Sequence, residues 1–415
     1  MAFGIAAVGH LSSGVAVLVI WDVLVLAAAG RQLWLQRPQR VRITRHPLER
    51  LSIGRENLVT LDVQGTDVPL EVQIRDSYPV SFASSALTLT ATIPAHGHVT
   101  LTYTVRPQHR GEYTWGSLHI RQRQSGSLVW QQWVVPQPQT VAVYPDLIGL
   151  QELSLQLALF GSGSRTQRRS LALGTEFQEL REYHPGDDLR LMHWPSTARH
   201  QRPVVRVMTP EQEQTLILLL DRGRLMTATV AELPRFDWGL NALLALALTA
   251  LHSGDRVGVG LFDRQLSTWI PPQRGKAHLS TLVERLTPSQ PDWLEPDYVE
   301  AVSAVRRFQS RRALVVILTD IVDQTASQEL LTAMGRLSPR FLPLCVALRD
   351  PLLDHLAQDR SQPYQRAVAL DLLHQRRTAL AYAQRQGSLV LDLPAPQIRQ
   401  ALLDEYIRIK LKQRL

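Results

Sequence analysis

TLILLLD (Thr215–Asp221) and ALVVILTD (Ala313–Asp320) are unbroken apolar runs that each end on a carboxylate. Such runs are too short for a packed helix and apolar at every position. They read as strands buried on both faces, the kind found in a parallel sheet covered by helices. Similar runs follow at Arg256–Phe262, Phe341–Leu348 and Ser388–Leu393. Helical periodicity separates them at Asn241–His252, His278–Leu286, Asp297–Phe308, Gln328–Leu337, Gln365–Gln384 and Gln397–Lys412. This alternation predicts an α/β domain with a Rossmann-type parallel sheet over residues 213–415. Ligands of such sheets bind beyond the carboxyl ends of the strands, at the switch in strand order. Asp221 and Asp320 are therefore candidate site residues.

Upstream, the period changes. From Val41 to Tyr144 apolar residues alternate with polar ones, as in Leu58–Val63, Leu70–Ile74, Leu87–Ala91, Val99–Val105 and Val141–Val143. About eight strands separated by Pro and Gly turns predict an antiparallel β-sandwich over residues 41–145. Residues 146–212 form a connecting segment, with a helix over Leu147–Phe160 and a polar GSGSRTQRRS linker. At the other end, Leu11–Gly30 carries Asp22 as its one formal charge. It is about 20 residues long, enough to span a ~30 Å hydrocarbon core. Residues 1–30 are thus expected to be a transmembrane anchor. Arg31, Arg37, Arg40, Arg42 and Arg45 follow at once and place the rest in the cytoplasm by the positive-inside rule. A signal peptide would begin with a basic stretch, and MAFGIAA does not.

Composition narrows the function classes. Basic residues number 45 and acidic ones 37, for a net charge of +8, and the only lysines are Lys276, Lys410 and Lys412. The arginines are interleaved with carboxylates along the chain, and no basic helix face carries aromatics, so nucleic acid is not an expected partner. The single cysteine, Cys345, excludes an intramolecular disulfide framework and a Cys-rich zinc site.

The densest polar signal is LALGTEFQELREYHPGDDLRLMHWPSTARHQRPVVRV (Leu171–Val207). An enzyme reading makes His193 a base or metal ligand beside Glu176 and Asp188, as in a metal-dependent hydrolase. The spacing matches no metal motif, and no nucleophile elbow or phosphate loop occurs. The reading preferred here is a turn at Pro185-Gly186-Asp187-Asp188 fixed by Arg–carboxylate pairs, which can be bidentate. It makes the segment a docking or structural element.

The two strand-end aspartates resemble those of a von Willebrand factor A domain. There, Asp-x-Ser-x-Ser after the first strand, a later Thr and a fourth-strand Asp bind a divalent cation. Here the serine positions hold Gly223 and Leu225, the threonine loop reads PPQRGKAH, and Arg222 and Arg224 add positive charge. The resemblance therefore implies a degenerate site at Asp221 and Asp320. No cofactor is expected, Mg2+ being the ion such a site would otherwise take.

The segment itself resembles the bacterial domain of unknown function 58 family. The matching residues are Gly174, Glu176, Phe177, Leu180, Arg181, Glu182 and Tyr183, then Pro185, Gly186, Asp187, Asp188 and Arg190. His193-Trp194, Ser196, Ala198-Arg199 and Val204-Val205-Arg206 continue the pattern, and Arg110-Gly111-x-Tyr113-x-x-Gly116 extends it into the β-rich part. That resemblance implies a non-catalytic protein of the bacterial inner membrane. Its soluble von Willebrand factor A-like and β-sandwich domains would face the cytoplasm. Its implied partners are a MoxR-type AAA+ ATPase and the client proteins that this ATPase assembles or remodels.

Overall fold

The computed structural model describes residues 18–31, 40–48, 50–124, 127, 129–163, 176–185, 187–209, 214–322 and 327–412, with backbone alone at 160–163, 176–179 and 207–209. The chain divides into two compact units, Met1–Val143 and Tyr144–Leu415.

In the first unit, helix α1 covers residues 18–31. Its large apolar side chains, Leu18 to Leu26, are exposed. Among the described residues no helix is long and apolar enough to cross a membrane, and the expected span begins at residues outside those described. The remainder is β-structure: β1 (Arg42–Arg45), β2 (Arg50–Ser52), β3 (Asn57–Gln64), β4 (Leu70–Asp76), β5 (Phe82–Ser84) and β6 (Leu89–Ile93). It continues with β7 (His98–Pro107), β8 (Gly111–Trp115), β9 (Leu118–Gln124), β10 (Gln131–Val135) and β11 (Gln139–Tyr144). The described residues hold eleven strands where about eight are expected; β2 and β5, of three residues each, are too short to show a period. They pair antiparallel in sheets of order β1-β3-β7-β5, β10-β9-β4-β6 and β2-β11-β8. Alternation is clearest in the centre of the sheets: Val59, Leu61 and Val63 point inward from β3, and Leu70, Val72 and Ile74 from β4, whereas Leu87 precedes β6 and is exposed.

The second unit opens with α2 (Leu147–Gly163). The connecting segment is not irregular: β12 (Glu176–Glu182) and β13 (Val204–Thr209) pair antiparallel, with α3 (Trp194–His200) between them. The main sheet follows, built from β14 (Thr215–Asp221), β17 (Arg256–Phe262), β18 (Leu266–Gln273), β19 (Leu314–Thr319), β20 (Leu342–Arg349) and β21 (Leu389–Pro394). A short pair, β15 (Thr229–Val230) and β16 (Leu233–Pro234), leads into α4 (Arg235–His252). The other helices are α5 (Lys276–Leu286), α6 (Tyr298–Phe308), α7 (Gln328–Leu337), α8 (Pro351–Gln358), α9 (Pro363–Arg385) and α10 (Ile398–Leu411).

The sheet order is β18-β17-β14-β19-β20-β21. All pairings are parallel except β17 with β18, so the expected parallel sheet carries one reversed edge strand. β18 escaped the sequence reading because its exposed face and its prolines at 271 and 272 interrupt the pattern. Successive side chains of β14 serve opposite layers. Leu216, Leu218 and Leu220 pack with α4, α5 and α10, whereas Ile217 and Leu219 pack with α6, α7 and α9. From β14 the chain proceeds to β17 on one side and returns to β19 on the other. The switch point thus lies between β14 and β19, and Asp221 and Asp320 end these two strands.

Candidate functional site at the carboxyl edge of the sheet

Both strand-end carboxylates face inward. Asp221 is 0% exposed and Asp320 is 8% exposed. Asp221 Oδ2 accepts from Thr319 Oγ1 at 2.6 Å and from the Tyr298 hydroxyl at 3.1 Å, and its Oδ1 accepts from the Gly223 amide at 2.7 Å. Burial pushes this carboxyl up to about 6, against the opposing pull of hydrogen bonds from Thr319, Gly223 and Tyr298.

Asp320 is held differently. Its Oδ2 meets Arg235 Nη1 at 2.8 Å, and its Oδ1 accepts from Arg376 Nη1 at 2.6 Å and from the Ile321 amide at 2.8 Å. Arg235 comes from the first turn of α4 and also donates to the Leu225 carbonyl at 2.6 Å. Arg376 comes from the buried side of α9 and also donates to the Ile321 carbonyl. The chain of charges continues. Arg376 Nε donates to Asp392 Oδ1 at 2.9 Å, and Arg349 bridges Asp392 and Asp354, each at 3.2 Å. A buried carboxylate must be paired or neutralised. Here guanidiniums from α4 and α9 neutralise Asp320 from within the fold.

The residues do not fit a divalent cation. A Cβ on Gly223 would lie 2.8 Å from both the Leu294 carbonyl oxygen and Pro296 Cδ, so the serine of an adhesion-type site has no room. The loop responsible is tied down by Arg224 N to Leu294 O at 2.8 Å and by Asp292 N to Arg222 O at 2.7 Å. Among the described residues no group of three or more His, Cys, Asp or Glu is placed to hold a metal ion. Cys345 is fully buried and its thiol is pushed up to about 12 by burial, which leaves no thiolate at neutral pH. The expected neutralisation by arginine occurs through other residues than those named from sequence: Arg222 faces Asp263 at 3.4 Å and Arg224 faces Glu295 at 2.8 Å. Both carboxylates are buried, Asp221 completely and Asp320 nearly so.

The signature segment forms a braced arm. Arg181 grips Asp187 with both guanidinium nitrogens, at 2.9 and 2.6 Å, and Asp187 also accepts from the His184 amide at 2.8 Å. The Arg181 hydrogen bonds, then that amide, hold the Asp187 carboxyl below its ordinary range. Asp188 caps a single helical turn through the Arg190 amide at 2.9 Å. His193 is the N-cap of α3: its Nδ1 accepts from the Ser196 amide at 3.3 Å and lies 2.7 Å from Ser196 Oγ. Glu182 pairs with Arg202 at 3.0 Å across the arm. This polar frame carries apolar groups outward, with Leu189 63% and Trp194 68% exposed.

Of the residues singled out, Arg181 and Asp187 are brought together at the turn that holds Pro185, Asp188 caps the next helical turn through the Arg190 amide, and His193 caps α3 separately. Tyr183 donates its amide to the Pro203 carbonyl at 2.9 Å, and Arg199 lies in the last turn of α3. Glu176 and Phe177 belong to β12 by backbone, while Gly174 and Gly186 lie outside the described residues. Sequence reasoning missed Arg235, Tyr298, Thr319, Arg349, Arg376 and Asp392. One signal was available: Arg376 interrupts the buried series Ala369, Leu373, Ala379, Leu380 and Ala383 of α9, and an arginine on a buried stripe needs a carboxylate.

Fold and site define an α/β protein whose sheet edge is closed by its own ion pairs and whose β12–β13 arm exposes Leu189 and Trp194. The family model described as "Protein of unknown function DUF58" matches residues 179–362 of the chain. Relatives named uncharacterized protein Mb1516 of Mycobacterium bovis and uncharacterized protein Rv1480 of Mycobacterium tuberculosis are each 30% identical over 151 residues. The match covers 36% of this chain and 48% of each relative, so the chain spans about half the length of the curated relatives it matches. A solved structure of conserved hypothetical protein BatB from Bacteroides thetaiotaomicron aligns with 14% identity and a TM-score of 0.35, over 48% of this chain and 99% of its own. An aerotolerance-related membrane protein from Bacteroides fragilis aligns with 12% identity and a TM-score of 0.32, over 48% and 99%.

Proposed function

We propose that the chain is a membrane-anchored, non-catalytic interaction protein that docks a MoxR-type AAA+ ATPase and its client proteins at the cytoplasmic face of the bacterial inner membrane. The observation that carries this reading is the arm. A turn held by a bidentate Arg181–Asp187 pair and two capped helical turns exposes Leu189 and Trp194 to solvent. Ordered presentation of large apolar side chains on a surface loop marks a binding surface. The sheet order supports a von Willebrand factor A-like domain in which Arg235 and Arg376 stand where that fold would hold its cation. The exposed apolar side chains of α1, which overlaps the expected Leu11–Gly30 span, support a lipid-facing anchor.

The test is co-purification from native bacterial membranes of the full chain tagged at its C-terminus, with mild cross-linking, in ATP and in ADP. Nucleotide-dependent recovery of an AAA+ ATPase, reduced at least tenfold by Leu189→Ser with Trp194→Ala, is the expected result. Recovery of no ATPase in either state overturns the partner assignment, and undiminished recovery with the double variant overturns the arm as its site.

A further inference from the structure

The outer face of α9 carries a second, basic surface that the arm does not explain. His374, Arg377, Thr378, Ala381, Tyr382 and Arg385 line a groove of about 470 Å³. Their spacing, i, i+3, i+4, i+7, i+8 and i+11, puts all six on one stripe of the helix. The opposite stripe, including Leu373, Arg376, Ala379 and Leu380, is buried, so the groove sits on a helix fixed from below. Adjacent arginines have opposite fates. Arg376 is buried against Asp320 and Asp392, whereas Arg377 is exposed and, like Arg385, pairs with no carboxylate among the described residues. The one carboxylate of α9, Asp371, already accepts from Gln375 at 2.8 Å.

We infer that this groove binds an acidic protein segment whose carboxylates engage Arg377 and Arg385 while its apolar side chains lie on Ala381 and Tyr382. The two arginines are eight residues apart on the helix, or about 12 Å. That spacing matches carboxylates two turns apart on a helical partner, and each guanidinium offers a planar fork suited to a carboxylate. The small residues Thr378 and Ala381 between them leave room for a backbone or a short side chain. The chain's net charge of +8 favours approach of an acidic partner from a distance. A nucleic acid is a poorer match, because stable binding draws on roughly six to ten phosphate contacts and this face supplies two arginines and a histidine.

The test uses the full-length protein in detergent and a fluorescent helix-favouring peptide with Glu at its first and ninth positions, read by anisotropy. The Glu peptide is expected to bind roughly tenfold tighter than its Gln counterpart, the advantage shrinking as salt is raised past the range where exposed charges are screened. Arg377→Glu with Arg385→Glu removes that advantage while leaving the thermal midpoint unchanged. Tyr382→Ser weakens both peptides alike. Equal binding of the two peptides, binding of neither, or indifference to the arginine reversals overturns the inference. Tighter binding of a single-stranded oligonucleotide of similar length also overturns it and reassigns the face to nucleic acid. The reversal variant retains normal ATPase recovery through the arm, so the failure of one surface is distinguishable from that of the other.

Discussion

Asp320 sits between Arg235 and Arg376; Arg376 keeps Asp392 as a second partner, whereas Asp320 is the carboxylate that Arg235 meets. Removing it leaves the buried Arg235 guanidinium without its carboxylate, beside a half-compensated Arg376. Breaking a buried pair from one side costs about 3–5 kcal/mol. Asp320→Ala is therefore expected to lower the stability of the second unit by that amount in urea denaturation. An unchanged midpoint would show that the pairs are solvated in solution. Asp221, its neighbour in space, has the opposite sign. Its carboxyl stays protonated to about pH 6 in the folded protein but ionises near 4 once the chain unfolds. Between those values the folded state binds more protons, so stability falls as pH rises from about 4 to about 6 and is level above, a difference of about 3 kcal/mol. Asp221→Asn keeps the Gly223 bond, and the Thr319 and Tyr298 hydroxyls can rotate to accept. It is expected to abolish that slope in denaturation series across this pH range, and a slope unaltered by the substitution would place its origin in another group.

At the scale of elements, two substitutions separate frame from chemistry. Gly223→Ser restores a hydroxyl expected of a cation site but drives a Cβ into the Leu294–Pro296 loop. Overpacking of this kind costs about 1–3 kcal/mol, and no gain of Mg2+-dependent stabilisation is expected in a thermal melt. His193→Asn keeps an N-cap on α3, whereas His193→Ala loses about 1 kcal/mol. Equal metal content and ATPase recovery in the Asn variant are expected, and loss of a stoichiometric divalent ion would instead revive the hydrolase reading. The same elements show how far the sequence could be read. The buried strands β14, β17, β19 and β20 were legible because burial on both faces leaves an unbroken apolar run. The pairs that close the site were not, because Arg235 and Arg376 reach Asp320 from residues far along the chain, and local period carries no record of such pairing. Arg222 and Arg224, adjacent to Asp221, were the natural guess; the backbone after β14 turns them instead toward Asp263 and Glu295. The β12–β13 arm was hidden for another reason. Its turn is stabilised by Arg181, Asp187 and caps rather than by an apolar period.

Over the whole molecule, the first unit stands out for a polar network buried within its apolar core. Asp76, on β4, accepts from Arg45 at 3.0 and 2.6 Å, from the Tyr103 hydroxyl at 2.7 Å and from Trp115 Nε1 at 3.0 Å. These partners lie on β1, β7 and β8, so one carboxylate joins strands from all three sheets of the unit. Arg45 and Asp76 side chains are each 2% exposed, and Arg45 stacks 5.7 Å from the Trp115 ring centroid. Burial of this network also drives the Tyr103 hydroxyl well above its ordinary range, which keeps it a donor to Asp76 at any pH the fold survives. Asp76→Ala strands a buried guanidinium and two further donors, at a cost of about 3–5 kcal/mol. In a β-unit of roughly a hundred residues that lowers the midpoint by more than about 12 °C. The apolar clusters of the second unit draw on buried residues from Leu150 onward, with Tyr144 and Leu147 packed against them. Calorimetry of the Asp76→Ala chain is therefore expected to show one transition moved down and a second unmoved, the second falling instead in Asp320→Ala. A single transition shifting in both variants would mean instead that the two units unfold as one cooperative body.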